Sequence, residues 1–219
     1  MYRIYFSPST QERNIGAISG YVEETEMNQI ADIAIPLLKF NGFEVFRNDR
    51  TKDHIYAKDE SNRIGVDAHF ALHSNAGGGV GTVMFTSGSV KGSKLAHAIY
   101  DEVAPLTPSR DRGVQLTTGL TEVVKTNAPA CLLEVAFHDN VADAQWIRDN
   151  HQVIAEAICR GLCKYFGVEF KLPTVQTKAP EGMVYRVQVG AYSIKENADA
   201  MADKLRKDGY APIVKLEVK

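Results

Sequence analysis

Short apolar runs alternate with segments of helical periodicity along the first 166 residues of the chain. Apolar side chains recur at helical spacing from Glu23 to Asn41 and again from 141 to 165. Further helices are predicted at 60–66 and 91–104, and strands are predicted at 2–6, 43–47, 68–73, 82–86 and 130–135. This alternation predicts an α/β fold, in which a mostly parallel twisted sheet is flanked by helices.

The periodic pattern changes in residues 169–182, which contain two prolines, a glycine and no apolar period. We predict a linker there, between a domain of residues 1–168 and a module of residues 183–219. The alternation at Tyr185, Val187 and Val189 predicts a half-buried strand at the start of this module. Its 37 residues would make only a marginal core alone.

Composition narrows the classes of function. The net charge is −2 over 219 residues, which argues against a dedicated nucleic-acid-binding protein. No apolar run approaches the roughly 20 residues of a membrane-spanning helix. The first residues, MYRIYFSPST, lack the apolar core of a secretory signal, and three cysteines do not indicate a disulfide framework. We therefore expect synthesis in the cytoplasm and no membrane insertion.

Three polar side chains lie where a parallel sheet of this kind binds ligands, beyond the carboxyl ends of its strands or beside them. His73 closes a predicted strand and precedes a glycine-rich segment, and Glu134 lies near the end of the apolar strand ACLLEVAF. Glu24 belongs to the acidic run EETE at the start of the first long helix. Each also has a structural explanation: a hydrogen-bonded histidine, a carboxylate paired with an arginine, and a favourable charge at a helix N-terminus. His69, on the same side of the strand as His73, is expected to be a packed histidine.

Taken together, these three side chains indicate a zinc hydrolase. A catalytic zinc takes His and Glu ligands and leaves one position for water. A separate carboxylate is needed to take the proton of that water. Glu134 suits this role as general base, because it would approach the metal from a neighbouring strand end.

Residues 1–166 resemble the zinc-dependent N-acetylmuramoyl-L-alanine amidases of the type 3 family, which occur in bacterial cell-wall hydrolases and phage endolysins. The resemblance is carried by four segments in the family's order: ETEMN at 24–28, LHSNA at 72–76, RGV at 112–114 and PACLLE at 129–134. It implies that Glu24 and His73 are zinc ligands, that Glu134 is catalytic, and that Asn75 contacts the substrate.

One departure from the family's pattern concerns the metal. The family's first zinc ligand is a His directly after the first strand, whereas this chain reads FSPST at 6–10. We predict that His138, close to Glu134 in the sequence, replaces that ligand. Gln11 and His54 are the alternatives, and loss of the metal is a third.

The residues from Met183 resemble the SPOR module, which binds glycan strands stripped of their stem peptides. The resemblance implies a small βαβ unit, with strands at 184–193 and 210–216 and a helix at 196–209. A complete SPOR module repeats this pattern once more, so we expect either a truncated module or two copies that complete each other in a homodimer. The resemblances together imply a peptidoglycan hydrolase that cleaves the amide between N-acetylmuramic acid and L-alanine with Zn²⁺-activated water. A zinc peptidase acting on the stem peptide and a metal-free wall-binding relative are the alternatives. Without a signal peptide, we expect such an enzyme to reach the wall after phage lysis or lysis of a mother cell.

Overall fold

The computed structural model describes residues 1–173 and 188–216, and the chain divides into two compact units, Met1–Pro173 and Thr174–Lys219. The division falls inside the predicted linker, most of which lies outside the described residues. The strands of the first unit are β1 (Arg3–Pro8), β2 (Glu44–Arg47), β3 (Ala68–Asn75), β4 (Thr82–Thr86), β5 (Asp111–Leu116) and β6 (Ala130–Phe137). Its helices are α1 (Glu23–Phe40), α2 (His54–Ile64), α3 (Val90–Val103), α4 (Thr121–Val124), α5 (Val141–Asp149) and α6 (His151–Phe166), with a 3-10 turn at Ala104–Leu106.

The six strands form one sheet in the order β2-β1-β3-β6-β4-β5. Neighbouring strands are parallel except β4, which runs antiparallel to β6. The predicted α/β fold with a mostly parallel sheet is therefore confirmed. The insertion of β6 between β3 and β4 places the carboxyl ends of β1, β3 and β6 side by side at one edge of the sheet.

The two faces of the sheet are covered unequally. On one face, α1, α3 and α6 bury the main hydrophobic core against alternate residues of the strands. Helices α3 and α6 approach closely at Gly161, where an added Cβ would lie 2.4 Å from the Cα of Ile99. The other face carries only small clusters beneath α2 and the four-residue α4. The sheet is therefore covered mainly on one face.

All five strands predicted in the first unit are present, but α2 differs in its bounds, and α4 and β5 were not predicted. The helix predicted at 60–66 begins earlier, at His54, because the side chain of Asp53 accepts a hydrogen bond from the N–H of Tyr56 and caps it. Strand β5 was not predicted, since it is a largely polar edge strand that pairs only with β4. An edge strand of this kind lacks the alternation that identifies a half-buried strand.

In the second unit, the predicted helix is present as α7 (Lys195–Lys207). The predicted opening strand begins outside the described residues, at 184–187, and its described part, 188–193, is not in a strand. Residues 210–216, where the second strand was expected, are also irregular. Within residues 1–173 and 188–216, no helix is both long and apolar enough to cross a membrane.

Candidate active site

The candidate site begins with a pair of residues on adjacent strands. His73 of β3 and Glu134 of β6 are register partners in a parallel pair, so their side chains lie on the same face of the sheet. This is the thinly covered face, since Leu132, two residues before Glu134, packs there against α4. The two strand-end residues singled out from the sequence are thus brought together.

Glu23, at the first position of α1, is a third member of this cluster. Its Oε1 lies 2.9 Å from His73 Nδ1, and its Oε2 accepts a hydrogen bond of 2.6 Å from Asn14 Nδ2. The carboxylate is 1% exposed. Burial acts to raise the pKa of Glu23, but the contacts with His73 and Asn14 outweigh it, and the net shift is downward. Glu23 is therefore an ionised, buried carboxylate that faces an imidazole.

His73 sits between two carboxylates. Burial acts to lower its pKa, but the hydrogen bond with Glu23 and the charges of Glu134 and Glu23 raise that pKa to about 9. A proton therefore occupies the imidazole at neutral pH in the metal-free chain. A cation is favoured at this point, whether it is a proton or a metal ion.

Glu134 contributes a second carboxylate to the site. Its Oε2 is buried and, among the described residues, has no hydrogen-bond partner. Burial raises the pKa of Glu134 to about 7, with His73 opposing this shift and Glu23 adding to it. A carboxylate with a pKa near 7 can take up and release a proton at physiological pH, as a general base must.

Gln11 reaches the same cluster from the segment that follows β1. Its amide Nε2 lies 3.3 Å from His73 Nδ1, and its Oε1 accepts a hydrogen bond of 2.8 Å from Asn14 Nδ2. Asn14 therefore joins Gln11 and Glu23 through one amide group. Gln11 itself is exposed, so the cluster opens to solvent on this side.

The structure does not place the predicted ligand Glu24 beside His73. The Oε1 of Glu24 instead accepts hydrogen bonds from Arg50 Nε at 2.7 Å and from Asn28 Nδ2 at 3.2 Å. Because successive side chains of a helix point about 100° apart, Glu23 and Glu24 face different directions. Glu23 is the one that faces the imidazole of His73. The acidic run lies on the helix turn that faces His73, but Glu23 rather than Glu24 is the member in contact with the imidazole.

His138 is also held elsewhere. Its Nδ1 lies 2.9 Å from both the Oγ and the backbone oxygen of Ser74, and its ring stacks on Tyr21 with centroids 5.9 Å apart. In residues 1–173 and 188–216, no group of three His, Cys, Asp or Glu side chains is arranged to hold a metal ion. The predicted set of Glu24, His73 and His138 is therefore not assembled, because the turn after β6 packs His138 against β3 and Tyr21.

The remaining histidines named in the sequence analysis are outside the cluster. His69 is buried against Glu122, with Nε2 and Oε1 3.0 Å apart, as expected for a packed histidine. His54 is exposed at the start of α2.

Asn75 ends β3 at the rim of the site. Its Oδ1 accepts a hydrogen bond of 2.8 Å from the N–H of Ala76. The glycine segment that follows is held by Asp139, whose carboxylate accepts from the N–H groups of Gly77 and Gly78 at 2.7 and 2.8 Å. A contact between Asn75 and substrate stays a prediction.

Known proteins of similar sequence decide the family. The sequence model of the family described as N-acetylmuramoyl-L-alanine amidase matches residues 4–164. The chain belongs to this amidase family. Its members are generally zinc-dependent. Membership supports peptidoglycan amidase activity, as the sequence predicted. Residues 181–219 match the SPOR domain.

Individual relatives agree with this assignment. The chain is 27% identical to the sporulation-specific N-acetylmuramoyl-L-alanine amidase of Bacillus subtilis (strain 168), over 99% of this chain and 86% of that protein. It is 24% identical to the N-acetylmuramoyl-L-alanine amidase CwlM of Bacillus licheniformis, over 98% of this chain and 85% of the relative.

Solved structures show the same fold. The catalytic domain of CwlV, an N-acetylmuramoyl-L-alanine amidase from Bacillus (Paenibacillus) polymyxa var. colistinus, matches with a TM-score of 0.70 at 22% identity, over 77% of this chain and all of that one. The N-acetylmuramoyl-L-alanine amidase from Clostridium difficile 630 matches with a TM-score of 0.68 at 23% identity, over 76% of this chain and 97% of that one.

The donors of the site fit zinc in kind. Zinc binds imidazole nitrogen and carboxylate oxygen, and the site brings together one of each, His73 Nδ1 and Glu23 Oε1. Glu134, whose buried Oε2 has no hydrogen-bond partner among the described residues, is the register partner of His73. The described residues at this site therefore supply two donors of the kinds that zinc binds.

Proposed function

We propose that this chain hydrolyses the amide bond between N-acetylmuramic acid and the L-alanine of the peptidoglycan stem, with a zinc ion held by His73 and Glu23. Family membership supports the reaction, and the contact of 2.9 Å between His73 Nδ1 and Glu23 Oε1 supports the ligand pair. When bound there, zinc supplies Lewis-acid polarisation of the scissile carbonyl and acidification of a bound water.

Glu134 is the general base of the proposed reaction. It takes the proton of the attacking water and passes it to the leaving amine of L-alanine. The observation that carries this role is its buried Oε2, which has no hydrogen-bond partner among the described residues and sits on the register partner of His73. A buried carboxylate with a purely structural role would normally be hydrogen-bonded on both oxygens. The oxygen of Glu134 without a partner therefore supports a role toward water and substrate.

The test is digestion of purified peptidoglycan by the full chain, with and without a zinc chelator, and analysis of the products by mass. Stem peptides that begin at L-alanine, lost on chelation and restored by zinc, are the expected result. Cuts within the stem would identify a peptidase. Absence of product under every metal condition would identify a wall-binding relative without catalysis.

We propose that residues 181–219 bind glycan strands of the wall. The match to the SPOR domain supports this assignment. A second binding element on the same chain raises the local concentration of the enzyme at its substrate. A homodimer formed through this module is part of the same proposal, and light scattering of the full chain and of a chain ending at Pro173 tests it.

A further inference from the structure

We propose that Gln11, through its side-chain carbonyl oxygen, is the third protein ligand of the metal held by His73 and Glu23. The proposal rests on the proposed function, because it takes a zinc ion at this site as given. It adds a neutral amide ligand, supplied by the segment after β1, to the imidazole and the carboxylate.

The spacing of the three side chains is the first argument. His73 Nδ1 lies 2.9 Å from Glu23 Oε1 and 3.3 Å from the amide Nε2 of Gln11. Two ligands bound to tetrahedral zinc at about 2.0–2.1 Å are roughly 3.3 Å from each other. The groups already stand at nearly the separation that a shared metal requires, and a turn about the Cγ–Cδ bond of Gln11 exchanges its nitrogen for its oxygen.

The two neighbours of His73 Nδ1 make incompatible demands on that nitrogen. His73 Nδ1 faces both Glu23 Oε1, which can only accept, and Gln11 Nε2, which can only donate. One imidazole nitrogen carries either a proton or a lone pair, so it satisfies one of these neighbours and opposes the other. A cation at the centre resolves the conflict, since Nδ1, Oε1 of Glu23 and Oε1 of Gln11 then all direct lone pairs at it.

Asn14 links Gln11 to Glu23. Its Nδ2 donates to Gln11 Oε1 at 2.8 Å and to Glu23 Oε2 at 2.6 Å, which ties the two side chains into one arrangement. Partners of this kind orient metal ligands and strengthen binding. When the Gln11 amide turns its oxygen toward the metal, the hydrogen bond from Asn14 Nδ2 to Glu23 Oε2 remains and continues to orient that carboxylate.

The position of Gln11 also explains how the metal would remain accessible. Glu23 is buried beneath the cluster, whereas Gln11 is exposed. A metal held by these three side chains would therefore be reachable by water and substrate from the solvent side. The other candidates for the third ligand have no contact with the cluster among the described residues. His138 is bonded to Ser74, and His54 is exposed on α2.

The test measures zinc affinity rather than activity. The full chain is stripped of metal, and Zn²⁺ alone is titrated in competition with a chromophoric chelator. Gln11→Ala is expected to weaken binding at least tenfold, in the range of about 10–100-fold seen when supporting contacts of metal ligands are removed. Gln11→His, which supplies a stronger ligand, is expected to tighten it. Gln145→Ala, which removes an exposed glutamine on α5, is the matched control and should bind as the unaltered chain does.

Cobalt provides a second readout, because the visible absorption of bound Co²⁺ reports its ligands. Gln11→His should shift that spectrum, and Gln145→Ala should not. Wild-type affinity in Gln11→Ala, together with an unchanged cobalt spectrum in Gln11→His, would overturn the assignment of Gln11. If those results came with loss of binding in His73→Ala, the zinc site of the proposed function would stand. Absence of zinc binding in the unaltered chain would overturn both proposals.

Discussion

Replacing Glu134 by glutamine should lower activity and raise stability at the same time. Glutamine keeps the size of the side chain but cannot take a proton from water. The loss of a general base lowers turnover about 10²–10⁴-fold, which corresponds to about 3–5 kcal/mol of transition-state stabilisation. We expect kcat to fall in this range while zinc binding persists, because Glu134 is not among the proposed ligands.

The stability gain follows from the pKa of Glu134. Burial raises this pKa from an ordinary value of 4.5 to about 7. Because the folded pKa exceeds the unfolded one, stability is complete below about pH 4.5 and declines as the pH rises toward 7. A rise of roughly 2.5 in pKa, at about 1.4 kcal/mol for each unit, corresponds to about 3 kcal/mol lost by pH 8. Glu134→Gln removes this pH-dependent loss.

The assay is urea unfolding of both metal-free proteins at pH 4 and pH 8 in the presence of a chelator. The advantage of Glu134→Gln over the unaltered chain should be about 3 kcal/mol larger at pH 8 than at pH 4. An equal difference at the two pH values would refute the reasoning, because Glu134 would then ionise as freely in the fold as in the unfolded chain. Retained turnover would remove Glu134 from the mechanism.

Three further changes test other parts of the molecule. Glu26→Gln is the matched control, because Glu26 is buried but paired with Arg148 at 2.8 Å and His151 at 2.8 Å. Burial acts to raise the pKa of Glu26, but the hydrogen bonds from His151 and Arg148 outweigh it and lower that pKa. The contacts of ionised Glu26 with Arg148 and His151 therefore stabilise the fold above the unfolded pKa of Glu26, and this stabilisation is lost as the pH falls through the folded pKa. The free energy of unfolding of the variant should be about 2–3 kcal/mol lower at neutral pH and less reduced in acid, while its activity should not change. Gly161→Ala should cost about 1–3 kcal/mol in urea unfolding, because its Cβ would meet Ile99 of α3, and a wild-type midpoint would contradict this close approach. A chain ending at Pro173 should hydrolyse small soluble muropeptides at the full rate and bind whole walls more weakly in a pull-down; equal binding would argue against the SPOR region as the wall anchor.

Local sequence was sufficient for five of the six strands of the sheet and for the two residues at its strand ends. The apolar runs before His73 and around Glu134 identify β3 and β6, because burial on both faces of a parallel sheet requires continuous apolar stretches. Ligand sites lie beyond the carboxyl ends of such strands, so the position of both residues follows from the pattern. The helical period of α1 similarly places an acidic run at its first turn.

Tertiary structure decided which side chains meet. Glu23 and Glu24 are adjacent and chemically identical, and only the rotation of α1 against the sheet selects Glu23 to face His73. That rotation is set by packing against α6 and the strands, which involves residues more than 100 positions away in the sequence. His138 is close to Glu134 in the sequence, but its side chain bonds to Ser74 and stacks on Tyr21. Strand and helix periods are local properties that a sequence displays, whereas the phase of one element against another is fixed by long-range packing and becomes visible only in the folded chain.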